Sequence, residues 1–166
     1  FGSFIKLYNY DIGSTLRTNI LLDLYNKINT LLVNPVVPVR FHERRKFNAN
    51  SYESTLDGLE TRLERDRSGV VASGFPSDFS FNVNQQQFKG RIYAFNKYSD
   101  EDKTKLVDVK NYGNGVMFVI NGQTNGSLPA TFFNTRGLKY ENIRSNLLVL
   151  IDCSEVTPKY VEQLFQ

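Results

Sequence analysis

The sequence has no tryptophan and only one methionine, one histidine and one cysteine. The lone Cys153 excludes an internal disulfide. Cys153 and His42 together give neither the ligand set of a zinc site nor the spacing of a thiol–imidazole pair. No run of about 18 apolar residues is present to cross a bilayer. The first ten residues alternate polar and apolar like a strand and carry no basic-then-apolar leader. These absences point to a soluble domain without a membrane partner, in a reducing, cytoplasmic setting. Charge of one sign is missing too: twenty Lys and Arg against seventeen Asp and Glu leave a net charge of +3, close to ordinary surface balance. Charge alone therefore predicts no nucleic-acid binding.

What is present suits one domain, since 166 residues with 40% hydrophobic side chains, thirteen of them Phe, can bury a core. Phe1 has no initiator Met before it and Val161–Gln166 stops inside an amphipathic pattern, so the chain reads as an internal segment of a longer protein. Phe4, Ile5, Leu7 and Tyr8 make a short strand. Leu16, Ile20, Leu21, Leu24, Ile28 and Leu31 recur at helical spacing after a Ser14 or Thr15 cap. Val36–Phe41, interrupted by Pro38, suits an edge strand. Between Asn48 and Asp66 the pattern fits helix or strand, with Leu56, Leu59 and Leu63 on one helical face. Phe79–Val83 and Phe88–Phe95 alternate around a turn at 84–87, which predicts a hairpin. Asp100–Lys110 reads as a charged loop. Val116–Ile120 and Leu147–Ile151 are continuous apolar runs expected of interior strands. Helices are expected around Pro129–Thr135 and Tyr140–Asn146, and a last one opens at Pro158 after a Thr157 cap. The order predicts an α+β fold, a mixed sheet of four to five strands with helices on one face.

Three segments could carry chemistry. Asp11-Ile-Gly-Ser-Thr15 resembles a phosphate loop of the D-x-G-[ST] type, but a long helix follows it where such loops join two strands, so a turn with an N-cap explains it. Arg40, Arg44, Arg45 and Lys46 put four cations in seven residues; they can neutralise nucleic-acid phosphates or form a solvated loop. Asn121-Gly-Gln-Thr-Asn-Gly126 follows the most apolar strand; it is either a contacting loop offering Gln123 and Thr124 to phosphate oxygens or a plain connection built on Asn-Gly. Carboxylates sit mostly beside Lys or Arg, as in Glu60–Arg67, where a charged solvent face is sufficient explanation. No acid/base pair stands out.

Taken in order, Gly2–Tyr8, the hairpin ending Arg91-Ile-Tyr-Ala-Phe95, Met117-Phe-Val-Ile-Asn-Gly122 and Leu147-Leu-Val-Leu-Ile-Asp152 resemble the second, transducer domain of histidine-kinase-like (GHKL) ATPases related to MutL and prokaryotic MORC-like proteins. The resemblance implies a ribosomal-protein-like βαβ transducer fold over residues 11–166, with residues 1–10 closing an upstream nucleotide-binding domain. It implies that ATP and Mg are bound mainly upstream, that the full-length protein is an ATPase, and that this chain alone hydrolyses nothing, because the Glu/Asn helix and Asp-x-Gly-x-Gly loop of such enzymes are absent. Gln123, Thr124, Asn125 and Lys159 become the candidate nucleotide contacts. Topoisomerase relatives have Gln-Thr-Lys where this chain has Gln123-Thr124-Asn125, and Lys159 is the candidate to supply the missing charge. Partners implied are the upstream ATPase domain, DNA in a repair or restriction–modification setting, contacted by Arg40, Arg44, Arg45 and Lys46, and a second copy in a homodimer. A nucleotide-independent module binding nucleic acid or protein is the alternative.

Overall fold

The computed structural model describes residues 27–42, 53–66, 70–96, 115–134 and 144–164. Helical residues 27–31 (α1) lead into a two-stranded antiparallel ribbon, β1 (Val39–His42) with β2 (Glu53–Leu56). A short helical turn, α2 (Leu59–Thr61), continues as one π-helical turn over Arg62–Asp66. The ambiguous 48–66 stretch thus holds both a strand and a helix, and its three leucines, Leu56, Leu59 and Leu63, are all fully buried.

The main sheet has five strands: β3 (Ser77–Val83), β4 (Gln86–Ala94), β5 (Gly115–Ile120), β6 (Gln123–Leu128) and β7 (Leu147–Asp152). Their spatial order is β3-β4-β7-β5-β6, with every pair antiparallel except β5 and β7. The expected hairpin is β3–β4, turned at Asn84 and Gln85, both at positive φ as a two-residue hairpin turn requires. The two apolar runs become interior strands β5 and β7. Between them come β6 and 3-10 turns at Ala130–Asn134 and Arg144–Asn146; the first stands where a helix was expected, and most of the second expected helix lies outside the described residues. A last helix, α3 (Pro158–Leu164), opens at Pro158 as its sequence predicts.

Strand alternation sorts the side chains onto two faces. One face presents Tyr93, Phe95, Met117, Val119, Leu148 and Leu150, covered by Val33, Leu59, Leu63 and Val70. The other presents Phe88, Phe118, Ile120 and Ile151, packed with Cys153, Val156 and Tyr160. Helical pieces therefore lie on both faces, α2 on the first and α3 on the second, a correction to the expectation of helices on one face. The physical reason is that both faces of β5 and β7 are apolar and each needs cover. Leu31, expected on the buried side of its helix, is half exposed, while Asn29 and Val33 are buried. The expected strand at Phe4–Tyr8, most of the first helix, the Asp11–Thr15 segment, the 1–10 domain border and the Asp100–Lys110 loop lie outside the described residues.

Candidate functional site

A cleft of about 730 Å³ opens on the first face, at the carboxyl ends of the parallel pair β5 and β7. Ligand sites in open sheets favour that position, because strands there end together and hand over to loops. Val119 and Gly122 come from the end of β5, and Leu150 and Asp152 from the end of β7. Lys89 and Arg91 from β4, and Asp78 and Ser80 from β3, line one wall; Val33, Asn34 and Glu60 line the other.

The turns after β5 and β7 are fastened to one another. The Cys153 N–H donates to the Val119 carbonyl (2.8 Å) and the Asn121 N–H donates to Ser154 Oγ (2.9 Å). Ser154 is held in turn by Asp152, whose Oδ1 accepts from both its hydroxyl and its N–H. Gly122 fixes the opposite wall: its carbonyl accepts from the Val33 and Asn34 N–H groups at 2.9 and 3.0 Å. It sits at φ 77°, and a Cβ there would collide with the Asn34 carbonyl, so only glycine closes this contact.

Arg91 is the electrostatic centre of the cleft. Its Nε donates to Asp78 Oδ1 at 2.7 Å, and its Nη1 lies 3.2 Å from Glu64 Oε1 and 3.5 Å from Glu60 Oε1. The Arg91 hydrogen bond holds the Asp78 carboxyl below the usual carboxylate range. Glu60 behaves oppositely: burial pushes its carboxyl up, and the attraction of Arg91 offsets that only in part. The Asn34 amide donates to Glu60 Oε2 at 3.3 Å. Behind Arg91, burial pushes the Tyr93 phenol up to about 12, and its hydroxyl has no hydrogen bond of good geometry. At the rim Lys89 Nζ pairs with Glu155 Oε1 at 2.6 Å, which raises the lysine pKa.

Three lining carboxylates face two cations that are already paired, and neither an imidazole nor a thiol lines the cleft. Such a set can orient and hold a polar group.

The residues singled out from sequence fall elsewhere. Asn121 and Gly122, at φ 51° and 77°, form a two-residue hairpin turn, and Gln123, Thr124 and Asn125 belong to strand β6. The connection is thus a hairpin built on Asn-Gly, whose left-handed backbone these two residues adopt readily. Thr124 Oγ1 donates to the Thr30 carbonyl (3.1 Å), anchoring the end of α1. Asn125 is the extra residue where the β5–β6 register shifts, and its amide donates to the Gln123 carbonyl (3.0 Å). Gln123 is exposed on this edge strand, and Lys159 is exposed in the first turn of α3. None of these four lines the cleft. Arg40 is on β1, ion-paired with Glu53, which also accepts His42 Nδ1 at 2.5 Å. Arg44, Arg45 and Lys46 lie outside the described residues.

Glu60, expected on a charged solvent face, is instead half-buried against a residue 31 positions away. The one sequence signal for the cleft is in β4, where Lys89 and Arg91 share an alternation phase with Tyr93 while Phe88, Gly90 and Ile92 take the other. Cys153 is buried, and its thiol is pushed up to about 11 by desolvation, as expected of a packing residue. Among the described residues no group of three His, Cys, Asp or Glu could hold a metal ion, and no helix is long and apolar enough to cross a membrane.

The fold is a mixed α+β domain with a polar cleft at the ends of two parallel strands. No protein-family model matches the chain, and no curated protein matches it.

Proposed function

We propose that this chain is the transducer-like domain of a histidine-kinase-like ATPase, coupling the ATP state of an upstream domain to a DNA-linked activity of repair or restriction–modification type. ATP and Mg are held mainly upstream, and this domain reads which nucleotide is there. The supporting observation is the fastening of the β5 and β7 turns through Asn121, Ser154, Val119 and Cys153 beside the charged cleft. Two turns joined in this way move as one body, so a contact made at either is felt at the other. Docking of the upstream domain with bound ATP then favours one arrangement and hydrolysis releases it. Gln123 and Lys159 remain the candidate nucleotide contacts, because both are exposed, whereas the side chains of Thr124 and Asn125 bond to backbone carbonyls.

The test is ATP hydrolysis by the protein extended upstream by about one domain length, on the order of 150 to 200 residues, compared with Gln123→Ala and Lys159→Ala. A fall in turnover of roughly tenfold or more with ATP binding intact supports a transducer; such a fall is about 1.4 kcal/mol of transition-state stabilisation. An extended protein that neither binds nor hydrolyses ATP sinks the reading.

A nucleotide-independent binding module is the second reading, favoured by the commitment of Thr124 and Asn125 to internal hydrogen bonds. It rests on the basic cluster and expects Arg40, Arg44, Arg45 and Lys46 changed together to alanine to weaken nucleic-acid or protein capture, with no effect of ATP.

A further inference from the structure

Strand β3 is one edge of the five-stranded sheet, and among the described residues it pairs only with β4. Its outer backbone groups are thus a template for another strand. Its sequence, Ser77-Asp-Phe-Ser-Phe-Asn-Val83, is nearly a palindrome about Ser80. Phe79 mirrors Phe81, and Asp78 mirrors Asn82. Phe81 and Val83 are 37% and 41% exposed, with Phe75 just before the strand also 37% exposed. Exposed aromatics on an open edge are uncommon in a chain that stays alone.

We infer that β3 is a self-association surface, pairing antiparallel with β3 of a second copy about a two-fold axis through Ser80. A two-fold interface sets one surface against itself, so it needs a self-complementary strand, and the palindrome supplies one. In this register Phe79 faces Phe81 of the second copy and Asp78 faces Asn82 of the second copy, so an amide donor meets each carboxylate and no like charges oppose. Centring the axis on Asp78 would set that carboxylate against its own copy, and centring it on Asn82 would leave the front of the strand unpaired.

An axis perpendicular to the sheet keeps each residue on its own face. Phe79, Phe81, Phe88 and Tyr160 already form a row, with ring centroids 5.9, 5.2 and 6.4 Å apart in that order. Pairing adds the second copy's rings to the same row, and cross-strand aromatic neighbours are favourable. Asp78 and Ser80 also line the cleft, so the two clefts open beside one another at the axis. This inference is independent of the ATPase reading.

Sedimentation of the 166-residue chain over a concentration series, with two charge variants and one cross-link, tests it. Asn82→Asp sets carboxylate against carboxylate twice and is expected to weaken the dimer about tenfold; Asn82→Lys creates two opposite-charge pairs and tightens it by a similar factor. Asn82 is exposed, so both variants keep the fold, which circular dichroism checks. Ser80→Cys is expected to form an intermolecular disulfide under mild oxidation, because directly opposed residues of an antiparallel pair fall within disulfide reach, whereas buried Cys153 is sheltered. A chain that stays monomeric overturns the inference, as does a dimer that fails either the charge reversal at 82 or the cross-link at 80.

Discussion

The two faces of the five-stranded sheet come from the same strands, read at alternate residues, yet they are held by different physics. On the cleft face, a dry cluster around Leu148, Leu150 and Tyr93 adjoins a charged region centred on Arg91. On the other face, aromatic rings step from Phe79 to Tyr160 across three elements, with few charges among them. The contrast shows where specificity resides. The Arg91 fork requires particular partners at particular distances, whereas ring stacking tolerates substitution as long as a ring or similar bulk remains.

The contrast breaks most visibly in the core of the cleft face. Leu148 is fully buried on the middle strand, and Leu148→Ala is expected to cost about 3 to 4 kcal/mol in chemical denaturation through lost burial and a residual cavity. On the aromatic face Phe81→Ala, at a half-exposed edge position, should cost under about 1 kcal/mol. Equal losses would mean that the two faces bear the fold alike.

A smaller effect tests the aromatic face from beneath. Gly90 lies opposite Phe79 in the β3–β4 pair, and a Cβ there would run into the Phe79 ring and the Leu150 carbonyl. Gly90→Ala should therefore cost roughly 2 kcal/mol by overpacking. Adding Phe79→Ala to Gly90→Ala should cost less than Phe79→Ala does alone, because the colliding ring is gone; a double-mutant cycle reads the coupling. Strict additivity would show that the ring does not rest on Gly90.

Arg91 comes next. Arg91→Ala leaves Glu60, Glu64 and Asp78 clustered without their cation, at a cost of roughly 1 to 2 kcal/mol for partly exposed partners. Arg91→Lys should recover less than half of it, because an ammonium cannot reach three carboxylates from fixed fork geometry. The loss should shrink in high salt, as the loss from Leu148→Ala should not.

Much of this sheet was legible from alternation and apolar runs. The hairpin, the interior strands β5 and β7 and the Pro158 start of α3 follow from local pattern, because period-2 burial and proline at a first helical position are local constraints. The cleft was not legible. Its groups come from residues 33–34, 60, 78–80, 87, 89–91, 119, 122, 150 and 152, gathered by a parallel pairing that skips over β6. Glu60 illustrates the difficulty: beside Arg62, Glu64 and Arg65 it reads as one member of a solvated face, and only tertiary packing turns it toward Arg91. The extent of strand β6 through Gln123, Thr124 and Asn125 was hidden for a different reason. Its polarity suggested a loop, yet an edge strand can be equally polar on its open side, as the exposed-intermediate alternation of β6 shows.

The smallest effect isolates that misread residue. Folding raises the Glu60 pKa above its ordinary 4.5, first because burial disfavours the charge and next because Glu64 and Asp152 repel it, against the attraction of Arg91 and the Asn34 hydrogen bond. Its ionisation therefore opposes folding: the group favours the native state below its unfolded pKa and loses that advantage as pH rises through the folded value. Asp78 and Glu53, whose pKa values are lowered, have the opposite sign, being stabilising above their unfolded values and losing that as pH falls. Those two remain in both proteins when Glu60→Gln is compared with the wild type, so they cancel. Glutamine cannot ionise, and it keeps an oxygen for Asn34 and Arg91. The stability of Glu60→Gln relative to wild type should thus improve between about pH 4 and about pH 7, by less than about 1 kcal/mol given the solvent that reaches this cleft. Thermal denaturation of both proteins across that range decides the matter. A relative stability that falls with pH would mean that Arg91 outweighs desolvation at Glu60, as its hydrogen bond already does at Asp78.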